Sequence, residues 1–502
     1  MLINKRPTHP VLKLAEGLIE SWRHDLIVGL AVDPEVAAYV LVLTACSKIQ
    51  IEGKAAIRAV TAAAIEHAVR SNLFALQFGL KGIEGLLPHR KFNEDCIAGS
   101  INPTLMQKAS TVLEGMKRYA LVRDIFLGYY YGAYDIQTKD PRRLVFSDVP
   151  AWRGDIDFAE TFLSSETKTA RTPANEYPPT EDVTSDFPPN LHIGHVSSDA
   201  FRTLWVVLAR ILADFVGTGG APVLQQSELV ARLRQATDLP SDVVEGFVDL
   251  ITLRPTSPPQ LTLFHCPVVP LTQFDVQIVT PAVFGANIST TVMRLAVYRG
   301  GGLSKVSKSL ETFFLGRLEQ QFSLGQTLVR LGRQYSTAQD RGDIDIVVYE
   351  PLSKVLTLAQ AKTFIYPDSV PEVFDANEDI ENAISQVGRT FTWFSTAHHN
   401  ERKAVLDLPE LSEDSKVSFA VLANGFVGSD FLTHSQDILF GDIRYLMRPE
   451  FKGASFHEAL RSFSSRLSEL KLSLKRMIGE ETIQVGNVEV TCPALGFEIR
   501  VD

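Results

Sequence analysis

The stretch DRGDIDIVVYEPLSKVLTLAQAKTF, residues 340–364, decides how the rest of the chain is read. Gly342 permits a sharp approach to a strand, and Ile344, Ile346, Val347 and Val348 follow as a run apolar enough to be buried, with Asp345 near its start. A turn around Pro351, Leu352 and Ser353 leads to a second strand, expected over residues 355–363. The two-residue period of a strand places Leu356, Leu358, Gln360 and Lys362 on one face, so Gln360 and Lys362 project together.

Pairing these strands brings Asp345, Gln360 and Lys362 to one point, an economical way to hold a divalent cation beside an ammonium group. A hard cation such as Mg²⁺, or Mn²⁺ in its place, takes few protein oxygens and several waters. Asp345, the side-chain oxygen of Gln360 and the carbonyl of Ala361 would supply those oxygens. Lys362 can orient a water at the cation or help to lower its pKa. The product is a nucleophile for a phosphodiester, with the cation neutralising the charge that develops.

These residues resemble a known family. GDIDIVV followed by LAQAKTF is similar to the core of the PD-(D/E)XK nucleases, closest in pattern to Holliday-junction-resolvase-like nucleases and to Mrr-type restriction endonucleases, where Gln often replaces Glu. The resemblance implies a mixed central sheet flanked by helices, Mg²⁺-dependent hydrolysis of DNA, metal ligands at Asp345 and Gln360, and Lys362 as the catalytic lysine. It also gives roles to two flanking helices. In SLETFFLGRLEQQFSLGQTLVRLG, read as one helix ending at Leu331 and Gly332, Glu319 stands 26 residues before Asp345 and is expected at the metal; Glu311, 34 residues before, is the weaker candidate. After the second strand, Asp375 and Glu378 form a capping signal for a helix with Ile380, Ile384, Val387 and Phe391 on one stripe. Gln386 on that helix resembles a glutamine found near the active centre of related nucleases. The resemblance covers residues 304–394, under a fifth of the chain. Gln in place of Glu at position 360 removes one charge from the metal site, and Asp343, on the same strand face as Asp345, could compensate.

Other motifs carry less. Gly154-Asp155-Ile156-Asp157 repeats the same four letters and Glu166-Thr167-Lys168 follows, but only 9 residues separate Asp157 from Glu166 and no apolar strand lies between them. His192 and His195 have a metal-ligand spacing without a third ligand nearby, which reads as a surface pair. The run beginning Gly217-Thr218-Gly219-Gly220 lacks the Lys-Ser/Thr of a phosphate-binding loop and reads as a helix terminator. The aromatic run Phe126, Tyr129, Tyr130 and Tyr131 reads as a packing surface.

The 502 residues imply about three folding units. Residues 1–163 read as a helical N-terminal domain, 164–197 as a Pro/Thr-rich linker, 198–300 as helices plus short strands, and 301–502 as the α/β nuclease-like domain. Within 198–300, alternation at Val276 and Ile278 and again at Ile288, Thr290 and Val292 predicts strands, and within 301–502 residues 456–478 read as an amphipathic helix. A net charge of -10 excludes a uniformly basic DNA binder but leaves room for a local basic site, for which Lys305, Lys308, Arg317, Arg330, Arg333 and Arg341 are candidates. Four widely spaced cysteines predict reduced thiols and a cytoplasmic protein, and no stretch reaches the ~20 apolar residues of a membrane span. The expectation is a Mg²⁺-dependent DNA endonuclease of restriction or antiphage defence. Its N-terminal regions would serve recognition, regulation or a protein partner, and a homodimer would serve double-strand cutting. The alternative is a catalytically inactive, nuclease-like nucleic-acid-binding or assembly protein.

Overall fold

A computed structural model describes residues 8–32, 103–132, 134–148, 188, 191–216, 223–254, 257–300 with short gaps, 302–323, 326–336, 341–365, 370–424, 438–447 and 451–499. The echo motif at 154–157, the Glu166–Lys168 triplet, the run at 217–220 and most of the Pro/Thr-rich stretch lie outside the described residues.

The first two helices, α1 (Pro10–Val32) and α2 (Pro103–Tyr130), each open on a proline, whose fixed φ and missing N–H suit the first turn. They are tied together where Tyr130 donates to Glu16 Oε1 at 2.9 Å and Tyr119 donates to Glu20. Burial, then the Glu20 hydrogen bond, pushes the Tyr119 hydroxyl up to about 12. Phe126 and Tyr129 are buried. Two strands follow within the region expected to be helical, β1 (Tyr134–Ile136) and β2 (Arg143–Asp148), paired antiparallel.

A small hairpin, β3 (His192–Ile193) and β4 (Val196–Ser197), turns at Gly194, and it carries His192 and His195 exposed. Next come α3 (Ser198–Val216), β5 (Val223–Gln225), α4 (Gln226–Gln235), α5 (Ser241–Leu250), β6 (Val268–Pro270) and β7 (Asp275–Ile278). The three strands form an antiparallel sheet in the order β5-β7-β6. Phe201 of α3 meets Trp205 at 5.6 Å and Phe247 of α5 at 5.0 Å, which seats α5 on α3. The strand expected at Ile288, Thr290 and Val292 is instead a helix, α6 (Ile288–Gly300). Residues 288, 289 and 291–297 are all buried, so surroundings on every side override the local β preference of the Ile, Thr and Val residues.

The remaining chain builds α7 (Leu303–Phe322), β8 (Leu328–Ser336), β9 (Arg341–Glu350), β10 (Val355–Lys362), α8 (Val370–Thr396), α9 (His399–Leu406), β11 (Lys416–Ala423), β12 (Ile438–Asp442), α10 (Ile443–Leu446) and α11 (Phe456–Ser473). Strands β8 to β12 make a five-stranded sheet in the order β12-β11-β10-β9-β8. Strands β8, β9 and β10 are antiparallel neighbours, whereas β10, β11 and β12 run parallel after the α8 crossover. The sheet is mixed α/β, as expected. The helices on either side of β8–β10 have boundaries that differ from the sequence reading. α7 ends at Phe322, nine residues before Leu331, because residues 328–336 alternate and pair with β9. α8 starts at Val370, before the Asp375 and Glu378 signal, with Pro371 and Glu372 in its first turn, where a missing N–H costs nothing and a carboxylate meets the helix dipole.

The chain closes with a hairpin, β13 (Leu474–Val485) and β14 (Val488–Ile499), so the helix expected over residues 456–478 stops at Ser473. β14 pairs parallel with β2, giving the order β1-β2-β14-β13. The last hairpin of the stretch expected as 301–502 completes a sheet begun by residues 134–148. Cys266 and Cys492 are buried and in no disulfide, and among the described residues no helix is long and apolar enough to cross a membrane.

Candidate functional site

The site lies where two neighbouring strands part. The β9–β10 pairing runs from Val355↔Glu350 to Ala359↔Ile346 and stops there. Yet β9 extends back to Arg341, held by β8 through the pair Ser336↔Arg341, and β10 extends on to Lys362, held by β11 through Lys362↔Ala423. Each strand follows its outer neighbour, and a fork opens between them.

Asp345 and Gln360 are the first residues beyond the last pair, and in that register they stand opposite one another on one face. The pleat places Asp343 and Lys362 on the same face, one step further into the fork. Polar side chains take over where the ladder fails. Asp345 Oδ2 accepts the Ala361 N–H at 2.7 Å, and Gln360 Nε2 donates to the Asp343 carbonyl at 2.6 Å. Gln360 is buried, and its donor end is used, so its oxygen is the end left for a ligand. The carbonyl of Ala361 points to the same side of β10 as its N–H, into the fork.

Packing around the fork explains two sequence features. A Cβ on Gly342 would run into the Tyr335 ring, which reaches over β9 from β8. That ring stacks on Trp393 of α8 at 4.7 Å, and its hydroxyl lies 3.5 Å from Thr390 Oγ1. One turn earlier is Gln386, whose Oε1 is buried and has no hydrogen-bond partner among the described residues. Near the fork's other arm, Asn424 at the end of β11 brackets Phe364, accepting its N–H at 3.0 Å and donating to its carbonyl at 2.7 Å. This clasp fixes the backbone just after Lys362.

The helix α7 brings Glu311 to the fork. Ser307 and Thr363 exchange hydroxyl-to-carbonyl hydrogen bonds, both 3.3 Å, so α7 crosses the end of β10 at Ser307. Glu311 is one turn further and acts electrostatically on Asp345. Glu319, expected at the metal, lies two turns beyond Glu311, ~12 Å along the axis, toward the end where Gln321 meets the Leu446 carbonyl. The structure thus brings Asp345, Gln360, Lys362 and Ala361 together, adds Glu311, and leaves Glu319 apart. The sequence reading ranked the two glutamates the other way.

Burial pushes the Asp345 carboxyl up to about 6, and the nearby Asp343 and Glu311 add to the rise; the Ala361 N–H and Lys362 pull it down. Asp379 of α8 is also raised, by burial first, then by Glu378 and Asp375, with Lys362 opposing. Asp379 is thus a neighbour of Lys362 that the sequence reading missed, because only the packing of α8 against β10 brings the two together. Among the described residues no three His, Cys, Asp or Glu side chains gather as a metal-holding group. The set that fits a cation is mixed: the carboxylates of Asp345 and Glu311, the Gln360 amide oxygen and the Ala361 carbonyl. Its fit rests on Asp345, a buried carboxylate among like charges whose raised pKa a cation would reverse.

Two of the cations expected to meet phosphates are engaged elsewhere. Arg330 and Arg333 both hold Asp407 Oδ2, at 3.0 and 3.1 Å, tying β8 to the end of α9. Arg317 lies over the Phe313 ring at 5.8 Å, while Lys308 and Arg341 are exposed. No protein-family model, curated protein or solved structure matches the chain.

Proposed function

We propose that the chain is a metal-dependent phosphodiester hydrolase acting on DNA, with the β9–β10 fork as its active site. The observation that carries this reading is the fork itself, with Asp345, Gln360 and Lys362 at its base and Glu311 beside them. The helix–three strands–two helices–strand order of α7 to β11 is in keeping with the restriction-endonuclease-like core implied by the sequence resemblance. Asp345, Glu311, Gln360 and the Ala361 carbonyl would hold Mg²⁺ or Mn²⁺. When bound, the cation supplies Lewis-acid stabilisation of the charge on the phosphoryl oxygens. Lys362 presents an ammonium group beside these oxygens and can pair with the phosphate. The Asp343 carbonyl fixes the Gln360 amide with its oxygen toward the fork, and burial keeps Asp345 in a low-dielectric setting where a cation is held strongly.

One observation favours a second reading, a catalytically inactive nuclease-like binding or assembly protein. Asp345 and Gln360 already satisfy backbone groups, a structural duty that an inactive fold would retain. Incubating supercoiled and linear DNA with Mg²⁺ or Mn²⁺ separates the two. Cleavage by the wild type and a loss on the order of 10²- to 10³-fold in Lys362→Ala is expected. Equal cleavage by both proteins would remove Lys362 from the site, and DNA binding without cleavage by either would favour the second reading.

A further inference from the structure

Helix α6 touches two distant parts of the fold through two arginines five residues apart. Arg299 donates to the carbonyls of Asp249 at 2.8 Å and Thr252 at 2.9 Å, and to Ser257 Oγ at 3.0 Å, which satisfies acceptors at the end of α5. Arg294 reaches the other way. Its side chain is buried and forks onto Glu372 in the first turn of α8, with Nη1 to Oε1 at 3.0 Å and Nη2 to Oε2 at 2.6 Å; Nη1 also donates to the Gln260 carbonyl at 3.3 Å. A two-pronged arginine–carboxylate pair fixes orientation as well as distance. Such a pair, its arginine buried and its glutamate a quarter exposed, is a weak source of net stability but a strong constraint on geometry, because displacing the glutamate strands the buried arginine's charge.

Glu372 and Asp379 are seven residues apart on α8, so they lie two turns apart on nearly the same stripe. The clamp at Glu372 therefore governs the helical segment that carries Asp379 past Lys362. The far end of α8 is held separately, by the Tyr335–Trp393 stack. We propose that Arg294 is a positioning residue: through Glu372 it sets the first turns of α8, and so the place of Asp379 beside Lys362, coupling the 198–300 region to the fork. The coupling to catalysis rests on the hydrolase reading of Lys362; the clamp on α8 does not.

The test uses the full chain with Arg294→Gln, Glu372→Gln, their combination, and Arg294→Lys, which keeps the charge but loses the fork. Two readouts are taken: hydrogen exchange of residues 372–380 against β11, and kcat and KM for cleavage of supercoiled DNA with Mg²⁺. Arg294→Gln should speed exchange in 372–380 at least tenfold and leave β11 unchanged. It should lower kcat about tenfold at constant KM, the tenfold being on the order of 1.4 kcal/mol. Glu372→Gln should match it, the combination should be no worse than either, and Arg294→Lys should recover part of both effects. Unchanged exchange in 372–380 would overturn the clamp, and raised exchange with unchanged kcat would overturn the coupling. A wild type that does not cleave DNA would defeat the hydrolase reading and the coupling with it, while the exchange data would still decide the clamp. If Arg294→Gln does not fold, Arg294→Lys against the wild type carries the same comparison.

Discussion

Two antiparallel hairpins in this chain end differently. β13 and β14 stay paired through 12 consecutive partners, from Leu474↔Ile499 to the turn at Val485↔Val488. β9 and β10 pair for 5 and then separate. The cause is in their neighbours. β14 has one outer partner, β2, which joins it for three residues, whereas β9 and β10 are each gripped along their outer edges, by β8 and β11. A strand gripped on its outer side can leave its inner partner without losing every backbone hydrogen bond, and the bonds that remain open can be filled by side chains. A polar site in a sheet thus needs both an interruption and flanking strands that tolerate it.

The largest test of this contrast removes the charge at the base of the fork. Asp345→Asn keeps an oxygen to accept the Ala361 N–H but lowers cation affinity, and cleavage should fall at least ~10²-fold. Stability should move the opposite way. A carboxyl held at about 6 in the fold, against an ordinary 3.8, binds its proton more tightly folded than unfolded. Its stabilising contribution is therefore complete below the ordinary value, fades between pH 4 and 6 and is lost above 6. Above pH 6 the ionised wild type should be less stable than Asp345→Asn, by on the order of 3 kcal/mol, and the two should converge near pH 4. Urea melts across that range check this, and a wild-type stability independent of pH would mean that Asp345 is not confined as the fork requires.

How much of this the sequence discloses depends on the range of the interaction. The strands β9 and β10, and the shared face of Gln360 and Lys362, follow from a two-residue period that is local to each strand. The fork does not, because it is made by β8 and β11, and β8 itself reads as the tail of a helix until its pairing with β9 is known. The choice between Glu311 and Glu319 turns on where Ser307 crosses Thr363, a contact between separate elements that counting along the chain cannot locate. The same holds for α6, whose Ile, Thr and Val residues favour a strand until burial on all sides is seen, and for β14, which completes a sheet with the distant β2.

A smaller effect is expected at the mouth of the fork. Gly342 lies under the Tyr335 ring, so Gly342→Ala must push the ring off β9 and away from Trp393. Overpacking of this kind costs ~1–3 kcal/mol. If the grip of β8 is what holds the fork open, cleavage should fall together with stability. A Gly342→Ala protein of wild-type stability in urea would show that the ring moves freely, and the outer grip on β9 would then have to lie elsewhere in β8.

The smallest change belongs to the closed hairpin. Thr482 and Thr491 face each other across β13 and β14 with their hydroxyls 3.1 Å apart, Thr482 exposed and Thr491 half-buried. Such a cross-strand pair contributes ~0.2–1 kcal/mol, and Thr482→Ala should cost no more than that in a urea melt while leaving cleavage of supercoiled DNA unchanged. The substitution removes a polar contact between paired strands, as changes at Asp345 or Gln360 do in the fork, but here the backbone ladder is intact beneath it and no buried group is left waiting for a partner. A loss of cleavage in Thr482→Ala would therefore break the contrast, because it would place part of the chemistry on the sheet that has no opening.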